Sequence, residues 1–143
     1  MVDIFQVDSE SIKPVKKLDQ KYFPYPWNSS QWDEVLGNKR YLCLGAEVRG
    51  ELVGFCLFDM LQADQVHLLK IVVKESHRAQ GIAHSLLTHF LHAHKVVSVY
   101  LEVDTENQIA LDFYLNFGFE ILVKKSRYYS NGEDAYGMLL KFD

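Results

Sequence analysis

The chain has 143 residues, of which 48% are hydrophobic and 24% are charged, and its formal net charge is −4. This length predicts one domain that can bury a core without disulfides, and the composition excludes collagen-like, disordered and coiled-coil classes. Basic residues form only short pairs such as Lys16-Lys17 and Lys124-Lys125. We therefore expect no nucleic-acid-binding surface.

Other protein classes are excluded by local features of the sequence. The apolar runs are far shorter than the ~20 residues that a membrane-spanning helix needs. The first residues lack the basic flank and apolar stretch of a secretory signal, so we expect a cytoplasmic protein. Cys43 and Cys56 lie in apolar runs without metal or redox spacing and are predicted to be reduced core residues. His89, His92 and His94 have no further ligands nearby in sequence, so we expect no metal site.

The first half of the chain alternates between helical and strand-like hydrophobic patterns. Pro24 and Pro26 exclude a helix interior over the aromatic segment 23–28. Gly50 permits a tight turn between two strands. We predict a strand at 2–7, a helix at 9–22, a short helix ending at Leu36, and strands at 41–47, 52–60 and 66–73.

The second half predicts two further helices, each followed by strands. Thr105 and Gln108 fit a capping box for the second of these helices, and Gly118 would end it. We predict a helix at 81–94, a strand at 96–103, a helix ending near Phe117, and strands at 119–125 and 135–142. This order implies an antiparallel meander, a parallel crossover and a mixed sheet with helices on both faces, of the α/β or α+β class.

The turn at 77–83 is a candidate anion site. Gly81 and the small Ala83 lie where a helix begins, so several backbone N–H groups can point at one anion, helped by the positive end of the helix. Gly81 is not followed by Lys and Ser or Thr, so the turn is not a Walker A motif. Nucleotide hydrolysis is therefore not expected.

Two polar groups follow this turn in the chain. Glu102 lies near a strand end and Tyr114 lies on the next helix. A carboxylate and a phenol can take a proton from an amine and return one to a thiolate. Partial burial is expected to raise the pKa of Glu102 toward working pH. From the residues alone, Glu102 could also be a surface carboxylate and Tyr114 an aromatic core residue.

The segment Arg78-Ala-Gln-Gly-Ile-Ala83 follows a strand, opens a helix and precedes Glu102, Asn107, Tyr114 and Gly118. In this order the chain resembles the GNAT superfamily of acetyl-CoA-dependent N-acetyltransferases over nearly its whole length. The resemblance implies a single domain over 1–143 with a splayed, mixed β-sheet flanked by helices on both faces.

Three further segments resemble the ribosomal-protein-alanine N-acetyltransferases (RimI-like). They are Phe-Pro-Tyr-Pro-Trp at 23–27, Leu-Glu-Val at 101–103 with Asn107, and Tyr128-Tyr129 followed by 132–135. This likeness implies acetylation of a protein N-terminus, such as the N-terminal alanine of a small-subunit ribosomal protein. Tyr128 and Tyr129 would either pack on a strand edge or cover an acceptor peptide.

The resemblance also implies residue roles. Glu102 would be the general base, and Tyr114 the acid that protonates the departing CoA thiolate. Asn107 would contact the cofactor near the thioester. The backbone facing pantetheine and the acetyl carbonyl would belong to Ile71, Val72 and Val73. The pyrophosphate would be cradled by Ala79, Gln80, Gly81, Ile82, Ala83 and His84.

The chain departs from the family pattern at three positions. Ala83 replaces a second glycine, His84 stands where a basic residue is common, and Lys70 lies on the cofactor-facing strand. Two alternatives to N-terminal acetylation stay open: transfer to a small-molecule amine, and a CoA-binding module without catalysis. No membrane, nucleic-acid or metal partner is expected in any of them.

Overall fold

The computed structural model describes residues 1–62 and 64–142. In chain order the elements are β1 (Asp3–Gln6), α1 (Ile12–Tyr22), α2 (Ser29–Leu36), β2 (Tyr41–Val48), β3 (Glu51–Asp59), β4 (Gln65–Val73), a 3-10 turn (Glu75–His77), α3 (Ile82–Ala93), β5 (Ser98–Asp104), α4 (Gln108–Phe117), β6 (Glu120–Lys125) and β7 (Ala135–Lys141). Among the described residues, the helices are all too short or too polar to cross a membrane.

The seven strands are hydrogen-bonded in the order β1-β2-β3-β4-β5-β7-β6. The pairing of β4 with β5 is parallel, and β1-β2, β2-β3, β5-β7 and β6-β7 are antiparallel. The predicted mixed α/β class is therefore confirmed. The chain forms two compact units, one of 1–61 and 69–95 and the other of 62–68 and 96–143.

The first unit has helices on both faces of its strands, as predicted. Phe55 of β3 lies 6.1 Å from Phe23, which follows α1, and 5.8 Å from Trp32 of α2, measured between ring centroids. Phe58 is three residues further along the strand and so points to the opposite face. There it stacks on Phe90 of α3 at 3.7 Å. Aromatic packing thus fixes both helix layers of this unit.

A buried ion pair joins four segments of the first unit. Asp19 of α1 is fully buried. Its carboxylate accepts hydrogen bonds from Lys70 Nζ at 2.6 Å, the Trp27 backbone N–H at 2.8 Å and Trp32 Nε1 at 3.1 Å. The Lys70 ammonium also lies 4.8 Å from the Phe23 ring centre and 4.6 Å from that of Trp27. Lys70 of β4 therefore points into the core. There the Asp19 carboxylate and the Lys70 ammonium both have partners.

The second unit begins with a short parallel pairing. Gln65–His67 of β4 pairs with Ser98–Tyr100 of β5. β7 then pairs with β5 on one side and with β6 on the other, both antiparallel. Gly137 of β7 is opposite Glu102 in β5. This register determines which side chains meet around Glu102.

The start of α4 differs from the prediction. Asn107 is its N-cap, and the side-chain oxygen of Asn107 accepts a hydrogen bond from the Ala110 N–H at 3.2 Å. The predicted capping box of Thr105 and Gln108 is wrong, because the helix begins two residues later than such a box requires. Gly118 ends α4 with φ 122°, as expected of a glycine that terminates a helix.

The start of α1 and a 3-10 turn also differ from the prediction. α1 begins at Ile12 rather than residue 9, since Asp8 Oδ1 accepts the N–H groups of Glu10 and Ser11 and holds them in a turn. The 3-10 turn at Glu75–His77 was not predicted from the sequence. Short turns of this kind leave no hydrophobic period to detect.

Asp19→Ala should lower the free energy of unfolding by about 3–5 kcal/mol, because it leaves the Lys70 ammonium buried without its partner. The measurement is urea denaturation at pH 7. Asp33→Ala is the matched control, since Asp33 is 70% exposed in its 3.4 Å pair with Lys16 and should cost no more than about 1 kcal/mol. Equal losses in the two variants would contradict this account of the core.

Candidate active site

The turn before α3 lies in the first unit and presents open backbone amides. Ala79 has φ 62° and Gly81 has φ 78°, both in the left-handed region. Gly81 is the N-cap, so no side chain caps α3. A Cβ atom added to Gly81 would have nothing within 4 Å. The space beside Gly81 is therefore open, and the first turn of α3 has no side-chain cap, which suits a phosphate anion.

The six residues predicted to cradle a pyrophosphate lie in and after this turn. Ala79, Gln80 and Gly81 are exposed. Ile82 is buried, with 4% exposure, so only its backbone could face a ligand. Ala83 and His84 belong to the first turn of α3, at the positive end of the helix dipole. This arrangement fits the pyrophosphate of CoA.

Tyr22 and Arg78 hold the turn in place. The Glu75 N–H donates to the Tyr22 hydroxyl at 3.1 Å, and Arg78 Nε donates to the Val73 carbonyl at 3.0 Å. The Arg78 guanidinium lies 5.2 Å from the centre of the Tyr22 ring. The Val73 carbonyl, predicted to face pantetheine, thus already accepts one hydrogen bond from the protein.

Ile71 and Val72 precede Val73 on β4, and both are half-buried. The Val72 carbonyl lies so close to Gly54 of β3 that a Cβ added there would be 2.8 Å from its oxygen. Gly54 therefore permits the backbone of β3 to approach β4 closely. The predicted cofactor contacts of Ile71, Val72 and Val73 remain a prediction.

Glu102 is the centre of a charged cluster in the second unit. Its side chain is 9% exposed, and its Oε1 lies 2.6 Å from His67 Nε2. Its Oε2 accepts a hydrogen bond from Lys125 Nζ at 2.9 Å. His67 is opposite Tyr100 in the parallel register, and Glu102 is two residues beyond Tyr100, on the same face of β5. Both oxygens of the carboxylate are therefore bonded to nitrogen.

These contacts reverse the predicted direction of the Glu102 pKa. Burial acts to raise this pKa, as expected from the sequence, but the hydrogen bonds and charges of His67 and Lys125 together lower it to about 2. The expectation of a raised pKa was wrong because it considered burial without the two nitrogen partners. Glu102 is thus a carboxylate throughout the neutral range.

Tyrosines frame the lysine of this cluster. Lys125 Nζ lies 5.2 Å from the ring centres of both Tyr100 and Tyr128. The hydrogen bond with Tyr100 and then the one with Glu102 raise the pKa of Lys125. Burial raises the pKa of Tyr128, and burial followed by the charge of Tyr128 raises that of Tyr129 to about 12. At neutral pH the cluster therefore combines the Glu102 carboxylate and the Lys125 ammonium with the uncharged phenols of Tyr128 and Tyr129.

Tyr114 and Asn107, the other two predicted site residues of this unit, lie on α4 and at its start. Tyr114 is 7% exposed, and its ring lies 5.5 Å from those of Phe113 and Phe119. The side-chain oxygen of Asn107 is used for capping, so a cofactor contact would fall to its amide nitrogen. Their roles as acid and cofactor ligand remain predictions.

Sequence reasoning missed His67 and Lys125. They are 35 and 23 residues from Glu102 along the chain. The sequence did not single them out, since β4 also contains Gln65 and Lys70, and β6 also contains Glu120 and Lys124. Strand order and register were needed to show that both residues meet Glu102. Among the described residues, the structure contains no group of three or more His, Cys, Asp or Glu that could hold a metal ion.

The sequence is similar to those of known proteins over most of the chain. It is 29% identical to N-alpha-acetyltransferase 50 of Danio rerio over 147 aligned positions, which cover 98% of the chain and 87% of that protein. It is 33% identical to N-alpha-acetyltransferase RimI of Mycobacterium tuberculosis over 119 positions, covering 79% and 74%. The chain spans 36% of the length of an uncharacterized protein of Mycobacterium leprae, to which it is 32% identical, and 97% of the length of the [ribosomal protein bS18]-alanine N-acetyltransferase of Escherichia coli, to which it is 25% identical.

The fold matches a crystal structure of the ribosomal-protein-S18-alanine N-acetyltransferase from Escherichia coli. The TM-score is 0.88 at 24% sequence identity, with 99% of this chain and 94% of that chain covered. Residues 12–119 match the sequence pattern of the Acetyltransferase (GNAT) family. The chain therefore belongs to the GNAT family of acetyltransferases.

Proposed function

We propose that this enzyme transfers an acetyl group from acetyl-CoA to the N-terminal amine of a protein. The N-terminal alanine of a small-subunit ribosomal protein is the preferred acceptor. The observation that carries the proposal is the ionised Glu102 carboxylate bonded to a half-exposed imidazole. The names of relatives that match most of the chain, both N-alpha-acetyltransferases, support an α-amine as the acceptor. A cytoplasmic location is part of the proposal.

A protein α-amino group has a pKa of about 7.7–8.0, so part of it must lose a proton before it can attack a thioester. Glu102, with a pKa of about 2, is a weak proton acceptor by itself. His67 is 34% exposed, compared with 9% for Glu102. We infer that His67 takes the proton at Nδ1 while Nε2 donates to Glu102, whose negative charge stabilises the imidazolium.

Tyr114 would supply the proton that the departing CoA sulfur needs. As the amine nitrogen bonds to the carbonyl carbon, the carbon–sulfur bond breaks and the sulfur leaves as a thiolate. The Tyr114 phenol would donate its proton to that sulfur. The attacking nitrogen would still carry one excess proton, which passes to water, so the products are an amide and free CoA thiol. His67 then releases its proton to water, and Tyr114 takes one back from it. No covalent enzyme intermediate is required.

Bound acetyl-CoA supplies the activated acetyl group. Residues 79–84 would hold the pyrophosphate through backbone amides at the start of α3, and Ile71, Val72 and Val73 would line the pantetheine. The Asn107 amide would lie near the thioester. Ala83 at the second glycine position adds only a methyl group, and His84 would offer its ring nitrogens as hydrogen-bonding groups beside the phosphates.

Thiol release should distinguish the possible acceptors. We would incubate the protein and acetyl-CoA with a peptide that begins Ala-Arg, the same peptide with an acetylated N-terminus, and spermidine. Release is expected only with the free peptide, and mass spectrometry should locate the acetyl group on the α-amine. Release only with spermidine would transfer the assignment to small amines. CoA binding without release for any acceptor would instead favour a non-catalytic module.

Glu102→Gln, His67→Gln and Tyr114→Phe should each lower kcat by about 10²-fold, because each removes a proton-transfer group. Their affinity for acetyl-CoA, measured by calorimetry, should stay near that of the wild type. Glu106→Gln is the matched control, since Glu106 is an exposed carboxylate just after β5. Wild-type kcat in the three site variants would exclude this mechanism.

Gly81→Glu should weaken CoA binding by about tenfold or more, since it brings bulk and negative charge to the proposed phosphate site. Gly50→Glu is a close control. Gly50 has φ 79°, near the 78° of Gly81, and a Cβ at either position meets nothing within 4 Å. The backbone strain is thus matched, and calorimetry should detect a loss in Gly81→Glu alone. Equal affinities would show that the turn does not bind the cofactor.

A further inference from the structure

We propose that Lys125 is a positioning residue for acetyl transfer, which binds Oε2 of Glu102 and so keeps Oε1 directed at His67. The inference rests on the proposed function, because His67 is taken there as the proton acceptor. Lys125 itself need not touch either substrate. Its effect is to give the carboxylate one orientation and to stabilise its charge.

The lysine is itself held in one position. Its ammonium lies between the rings of Tyr100 and Tyr128, 5.2 Å from each ring centre, and 2.9 Å from Glu102 Oε2. Two aromatic faces and one carboxylate leave a long side chain little rotational freedom. The 35% exposure of Lys125 is therefore compatible with a fixed location.

Gly137 makes this contact possible. β7 lies between β5 and β6, so Lys125 must cross β7 to reach Glu102. Gly137 is opposite Glu102 on one side and opposite Val123 on the other. A Cβ at Gly137 would clash with the Tyr100 hydroxyl and lie 2.8 Å from Val123 Cγ1. Because Gly137 has no side chain, Tyr100 and Lys125 can approach each other over β7.

Groups from several elements act on Glu102 or on its neighbours. His67 comes from β4, Tyr100 from β5 and Lys125 from β6, while Tyr128 and Tyr129 follow β6. Asp104 acts on Tyr129 from the end of β5. Lys125 is thus the cation of this set that stays charged through the neutral range. Without it, burial of Glu102 would be opposed by His67 alone, and the pair would take up a proton at higher pH.

The test compares Lys125→Met, Lys125→Arg and Lys124→Met in steady-state transfer to the Ala-Arg peptide. Lys125→Met should lower kcat about tenfold with KM for acetyl-CoA unchanged, and should move the acid limb of the kcat profile up by about 0.5–1 pH unit. Lys125→Arg should restore most of both quantities, since it keeps the charge. Lys124, 57% exposed, is the adjacent control and should behave as the wild type. An unchanged kcat and acid limb in Lys125→Met would overturn the proposal.

A second measurement does not depend on activity. The ¹³C resonance of the Glu102 carboxyl is followed between pH 3 and 7 in the folded proteins, identified by its loss in Glu102→Gln. The wild type should stay ionised over this range, whereas Lys125→Met should show a titration midpoint within it. If the wild type transfers no acetyl group, the proposed function fails. The titration would still show whether Lys125 stabilises the charge of Glu102. The absence of a midpoint in Lys125→Met would contradict the role of Lys125.

Discussion

The parallel pairing of Gln65–His67 with Ser98–Tyr100 is the constraint on which the contact between His67 and Glu102, and with it the proposed proton transfer, depends. It sets His67 opposite Tyr100, and the two-residue period of β5 then brings Glu102 to the same face. A shift of one residue in this register would turn one partner to the other side of the sheet. Two further registers, of β5 with β7 and of β7 with β6, bring Lys125 to Glu102.

Charge balance in the cluster follows from burial. A carboxylate that is 9% exposed needs donors for both oxygens, and the sheet provides an imidazole and an ammonium. Those donors make Glu102 a weaker base than its burial would suggest. In the proposed mechanism the more exposed His67 would act as the base, oriented by Glu102 in the way that an acidic residue orients histidine in hydrolase triads. The rings of Tyr100 and Tyr128 lie on the other sides of the Lys125 ammonium.

Much of the fold was predictable because hydrophobic periodicity is a local property. It located every strand and helix to within a few residues, and the motif at 78–83 led to the correct family. The partners of Glu102 were not predictable, since His67 and Lys125 become its neighbours only through strand order. The Glu102 pKa was wrong for the same reason, because burial was foreseen and its donors were not. Asn107, in turn, was assigned to a ligand although its side chain also caps α4.

The Asp19–Lys70 pair has a consequence for how this sequence can change over time. Asp19 is fully buried and bonds to Lys70, Trp27 and Trp32, so replacement of either charged residue alone strands the other in the core. Asp19 and Lys70 can therefore be replaced without loss of stability only when both change to uncharged residues. In homologous chains the two positions should covary, although they are 51 residues apart in sequence.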